Sequence, residues 1–80
     1  MLQSSMIKCI SELCKKETAC VYKVDREDAL GVRLLELGFT PGTKIQLVRR
    51  APQQGFIEIV VRGSRLALGW AEAQSIMVYS

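Results

Sequence analysis

Apolar residues recur along this chain at two spacings, one of about two residues and one of three to four. The shorter spacing first appears at 18–24, Thr-Ala-Cys-Val-Tyr-Lys-Val, a run of β-branched and aromatic residues with partial alternation that predicts a strand. It returns at 44–50, where Ile45 and Leu47 would face inward between Lys44 and Gln46. The alternation breaks at Val48-Arg49-Arg50, as a bulge or sharp bend would make it do. A return strand is predicted over 56–62, with Ile57, Ile59 and Val61 on one face, then a short strand 65–68 and a closing strand 76–79. The longer spacing occupies 26–37: Leu30, Leu34 and Leu37 fall at i, i+4 and i+7, with Leu35 widening the stripe.

The punctuation between these runs is consistent with that reading. Asp25 offers an N-cap oxygen to the 26–37 helix, and Glu27 and Asp28 place negative charge in its first turn. Gly38 stands where a helix would end, and Thr40-Pro41-Gly42-Thr43 has the Pro-Gly order of a type II turn. Residues 52–55, Pro-Gln-Gln-Gly, supply a hairpin loop, and Gly63-Ser64 a second turn. Ile10 to Leu13 and Gly69 to Ser75 read as helical turns, the first tucking Ile10 and Leu13 inward. Residues 1–9 read as a short, partly flexible leader, and 10–80 as one domain. The expected fold is mainly β: a small SH3-like barrel of about five short strands, closed or half-closed, with one helix between strands 1 and 2. The core is assigned to Leu34, Leu37, Ile45, Leu47, Ile57, Ile59, Val61, Leu66 and Leu68.

At 80 residues and 49% hydrophobic composition the chain can form one core, but a buried site of several hundred Å³ would consume most of it. No apolar run approaches the ~20 residues that span a bilayer, and no segment at the start reads as a secretory signal. Three cysteines without such a signal point to a reducing compartment, hence to the cytoplasm. The net charge of +3 is unevenly placed. Charges cancel over residues 1–43, whereas Lys44, Arg49, Arg50, Arg62 and Arg65 face only Glu58 and Glu72 in the remainder.

The run 33–43, Arg-Leu-Leu-Glu-Leu-Gly-Phe-Thr-Pro-Gly-Thr, resembles the signature of the ferrous iron transport protein A family, in which R-L-x-x-L-G-[FLM]-x-P-G feeds a hydrophobic strand. The likeness continues through Ile45, Val48, Ala51-Pro52, Ile57-Glu58-Ile59, Arg62-Gly63, Leu66-Ala67-Leu68, Glu72-Ala73 and Ile76-x-Val78. The resemblance implies an SH3-like barrel in the bacterial cytoplasm that works with the membrane ferrous iron transporter carrying a GTPase domain. It also implies a likeness to the C-terminal domain of iron-dependent repressors. Gln54-Gly55-Phe56 replaces the family's frequent Gly-Asp-Pro, and Gly69-Trp70 replaces a frequent basic pair. Both places are expected on the surface, where partner choice is made.

Candidate chemistry is sparse. The chain has no histidine to serve as a base beside a nucleophile, and no glycine-rich Lys-Ser/Thr loop for phosphate, so it does not read as an enzyme. Cys9, Cys14 and Cys20 lack C-x2-C spacing; a metal set from these three is a weak alternative to buried or incidental thiols. No resident cofactor is expected. A basic hairpin with nearby aromatics suits a protein surface better than nucleic acid, since a pI near 9.0 is modest for the latter. The candidate partner-binding residues are Arg49, Arg50, Gln53, Gln54, Phe56 and Trp70. The function expected is a non-catalytic accessory protein of iron uptake, without membrane insertion of its own. The alternative is a repressor-type module touching nucleic acid or another protein. Weak self-association through the Phe56–Val61 strand is a further expectation.

Overall fold

The computed structural model describes residues 7–79. Six strands form one sheet: β1 (Ile7–Cys9), β2 (Thr18–Val24), β3 (Lys44–Ala51), β4 (Phe56–Val61), β5 (Ser64–Gly69) and β6 (Ile76–Tyr79). Helix α1 (Ala29–Glu36) lies between β2 and β3, and helix α2 (Trp70–Ser75) between β5 and β6. The strand order is β1-β6-β2-β3-β4-β5, with antiparallel pairing throughout. The sheet is not closed: β1 and β5 are its two ends, and β4 lies between β3 and β5, so the self-association expected through the Phe56–Val61 strand has no free edge there.

Strand β1 is the sixth strand, absent from the five expected. Of the expected leader, residues 1–6 lie outside the described residues, and Ile7–Cys9 pairs with β6 in the register Ile7↔Tyr79 to Cys9↔Met77. Three residues are too few to show a period, and their partner lies at the other end of the chain.

Inward positions of the sheet build the core. Ile45, Leu47, Ile57, Ile59, Val61, Leu68, Ile76 and Val78 are all buried, joined by Ile10, which opens a single 3-10 turn (Ile10–Glu12), and Leu13, which follows it. The bulge anticipated at Val48 is present, as a register shift between Leu47 and Arg49 against β4. Leu66, assigned to the core, is only partly buried and packs against its margin.

The helix differs most from expectation. It starts at Ala29, not 26, because Asp28 and not Asp25 is the N-cap: its Oδ1 accepts from the Gly31 amide at 3.1 Å. Asp25 instead donates its amide to the Ser75 carbonyl at 2.7 Å. The helix ends in a Schellman motif, with Gly38 N donating to Leu35 O (3.0 Å) and Phe39 N to Leu34 O (3.1 Å). Gly38 takes φ 116°, which turns the chain so that Phe39 is fully buried while Leu37 stays 40% exposed. Leu35 and Leu37 are each 40% exposed and stand outside the core, where Phe39 takes the place beside Leu34. The corner that follows has the expected geometry, with Gly42 at φ 89° and Thr43 N bonded to Thr40 O at 3.0 Å.

Candidate functional site

The bulge decides where the two hairpin arginines point. Beyond Val48 the register places Arg49 opposite Glu58, on the outer face of the sheet, and Arg50 opposite Ile57 on the other. Arg49 Nε donates to Glu58 Oε1 at 2.9 Å, and its guanidinium carbon stands 5.3 Å from the centre of the Phe56 ring. The side chain is about half exposed. An ion pair and a cation–π contact thereby orient it, and among the described residues its remaining N–H groups have no partner. Arg50 Nη1 donates to the Ser11 carbonyl at 2.8 Å, which ties β3 to the 3-10 turn across 39 residues of chain. Together Arg49, Arg50, Ala51, Gln53 and Gln54 line an open depression of about 380 Å³ at the hairpin tip.

Four of the six candidate residues, Arg49, Arg50, Gln53 and Gln54, therefore share one surface. Phe56 stands under Arg49 and is half-buried. Trp70 is half-buried against the core margin, and its amide donates to Gly55 O in the hairpin loop at 3.1 Å. It supports the loop from behind and does not line the depression. The sequence indicated neither Ala51, which lines the depression, nor Ser11, which holds Arg50. Ser11 enters only through its backbone, which carries no residue-type signal.

A second depression, of about 370 Å³, lies on the outer face, lined by Lys16, Gln46, Leu47, Val48, Val60 and Arg65. Lys16 sits at φ 68°, its amide bonded to Leu47 O at 2.8 Å and its carbonyl to Gln46 Nε2 at 3.0 Å. Nothing in the residue pattern ties Lys16 to Arg65; the sheet register does.

The three cysteines are not brought together. Cys9 is on β1 and Cys20 on β2, with β6 between them, and Cys14 is exposed in the connection. Cys9 Sγ approaches Met77 Sδ at 3.9 Å, and burial, followed by Glu12 and Asp25, pushes its thiol pKa up, away from the reactive thiolate. Among the described residues no group of three or more His, Cys, Asp or Glu converges on a point. The strongest electrostatic perturbation belongs to the helix cap: hydrogen bonds from Arg26 and from the Gly31 amide hold the Asp28 pKa down at about 2. What the molecule presents is a set of oriented hydrogen-bond donors on shallow surfaces, a means of binding. No described helix is long and apolar enough to cross a membrane.

A bent antiparallel sheet with a helix between β2 and β3 is an SH3-like fold, and the solved structures it resembles agree. An iron uptake regulatory protein, FeoA, superposes with a TM-score of 0.84 at 31% identity, over 92% of this chain and 97% of that one. The FeoA of Stenotrophomonas maltophilia, solved with zinc, gives 0.77 at 34% identity, over 88% and 87% of the two chains. That protein is described as an unusual prokaryotic SH3 domain protein and a candidate ferrous iron transport activating factor. A manganese-dependent transcriptional repressor gives 0.83 at 19% identity over 90% of this chain and 35% of its own, a likeness of fold alone. No curated protein sequence matches the chain. The FeoA domain model matches residues 8–80, and the chain belongs to the FeoA domain family.

Proposed function

We propose that this chain is a non-catalytic cytoplasmic accessory protein of ferrous iron uptake, which docks on the GTPase-containing part of a membrane ferrous iron transporter. Membership of the FeoA family supports the iron transport setting. The observation that carries the docking surface is the hairpin tip, where Arg49, Arg50, Gln53 and Gln54 line one depression and Arg49 is pre-positioned by Glu58 and Phe56. Arginines held in place lose less side-chain entropy on binding, which is the usual character of an interface hot spot. Docking would alter the transporter's assembly or nucleotide cycle by binding energy alone.

The test is ferrous iron uptake by cells that have the transporter but lack this chain. Wild-type protein is expected to restore uptake. The double variant Arg49→Glu, Arg50→Glu is expected to restore little of it while accumulating to the same level. Full restoration by the double variant would remove the hairpin from the account.

A further inference from the structure

Strand β5 is one end of the sheet, and its free edge is defined by the turn before it. Arg62 (φ 53°) and Gly63 (φ 77°) form a two-residue hairpin turn, so the closing pair Val61↔Ser64 is hydrogen-bonded across the strands. Counting alternately, the backbone polar groups of Ser64, Leu66 and Leu68 face β4, and those of Arg65, Ala67 and Gly69 face outward. The Gly69 amide is taken by Glu72 Oε1 at 2.6 Å, which stops the ladder there. Arg65 and Ala67 are left, each with an N–H and a C=O directed at the edge. That is the template an extended segment pairs with.

The side chains along this edge specify what would pair. Arg65 and Ala67 are exposed on the outer face, and Leu66 is half-buried on the inner one. Arg65 lines the second depression with Lys16, and among the described residues neither has an ion-pair partner. Residues 59–71 contain Arg62 and Arg65 and no carboxylate. A second copy would bring another Arg65, with its Lys16, to the same edge, adding like charge where an acidic segment adds opposite charge. We propose that the β5 edge takes an extended acidic segment of another protein as an added strand. Entering antiparallel, its residue opposite Ala67 is a bulky β-branched one, filling the space alanine leaves. The next, opposite Leu66, is apolar, and the residue opposite Arg65 is Asp or Glu, within reach of Arg65 and Lys16. This surface does not depend on the hairpin tip, and the inference stands apart from the docking proposed there.

The test uses 15N-labelled protein and a capped peptide, Ser-Thr-Val-Ile-Glu-Thr-Ser. Saturable binding is expected to slow hydrogen exchange at the Arg65 and Ala67 amides. Replacing the peptide's Glu with Lys is expected to weaken binding roughly fivefold or more, from the opposite-charge and like-charge cross-strand terms together. Ala67→Pro is expected to abolish binding with the β4–β5 contacts intact, because the N–H it removes faces the free edge and proline is tolerated there. Arg49→Glu, Arg50→Glu is expected to bind the peptide as the wild type does. Equal binding by folded Ala67→Pro, shifts confined to Arg49–Gln54, or no binding at all would overturn the proposal. Concentration-dependent protection of the two amides without peptide would overturn the assigned occupant in favour of a second copy.

Discussion

Replacing Gly31 with alanine separates local propensity from packing. In an exposed helix interior the change stabilises by about 1 kcal/mol, because glycine loses more backbone entropy on folding. Gly31 is buried in the first turn of α1, directly under the chain that leads into it. A Cβ there would lie 2.9 Å from the Arg26 carbonyl carbon and 3.1 Å from Arg26 Cβ, and nearer still to the Arg26 carbonyl oxygen. These are mostly main-chain atoms, which cannot swing aside as a side-chain tip can. Relief requires moving residues 26–28, which carry the Arg26–Asp28 ion pair and the Asp28 cap on the Gly31 amide. Overpacking of this kind costs about 1–3 kcal/mol, and displacement of main chain places it toward the upper end. Against the helix gain of about 1 kcal/mol, the expected outcome is a net loss of about 1–2 kcal/mol. In a domain of this size that lowers Tm by roughly 5–15 °C. Urea and thermal unfolding measure it, with Val32→Ala, on an exposed position of the same helix, as the control for propensity. Gly31→Ala as stable as the wild type, or more so, would refute the close-approach reasoning.

Other outcomes follow from the same contacts. Phe39→Ala should cost about 3–5 kcal/mol by loss of a fully buried ring, whereas Leu37→Ala should stay within about 1 kcal/mol, both read by denaturant midpoints. Because the Asp28 pKa is lowered from the ordinary 3.8 to about 2, the stability it contributes is fully present above its unfolded value. It is lost as pH falls through 3.8 toward 2. In Asp28→Asn, which keeps a capping oxygen, the acid slope between pH 4 and 2 should be shallower than in the wild type, measured by Tm against pH. A Glu58→Gln variant should leave the fold intact and weaken partner binding severalfold, by releasing Arg49 from its fixed pose.

Strand periods were legible wherever one face is buried: Ile45 and Leu47, and Ile57, Ile59 and Val61, lie inside as their alternation requires. The bulge at Val48 was legible for the same reason, since a broken alternation has few other causes. Helix boundaries were not. Asp25 and Asp28 are equally good capping residues by type, and only packing of the 25–27 segment against α2, through Asp25 N and Ser75 O, decides between them. The Leu30–Leu34–Leu37 stripe is helical as far as Leu37, but Leu37 lies at the exposed end of the helix, and the left-handed Gly38 after it turns the chain so that Phe39 fills the core place expected of Leu37. The hairpin candidates were legible as charge and turn residues in one segment. Their supports, Ser11 O and Glu58, required the register. Strand β1 and the Lys16–Arg65 depression depend on pairings between distant parts of the chain, which no local pattern carries.

The central claim is docking through the hairpin tip, and the most direct measurement is the affinity of the purified chain for the purified GTPase-containing cytosolic part of the transporter. It would be made in physiological salt, with an equal mass of nucleic acid as the competing ligand. Docking through the hairpin tip predicts saturable one-to-one binding that nucleic acid does not displace. Arg49→Glu, Arg50→Glu should weaken it at least tenfold, the order expected for two arginines at an interface centre. Absence of binding, together with salt-sensitive retention of nucleic acid, would contradict it.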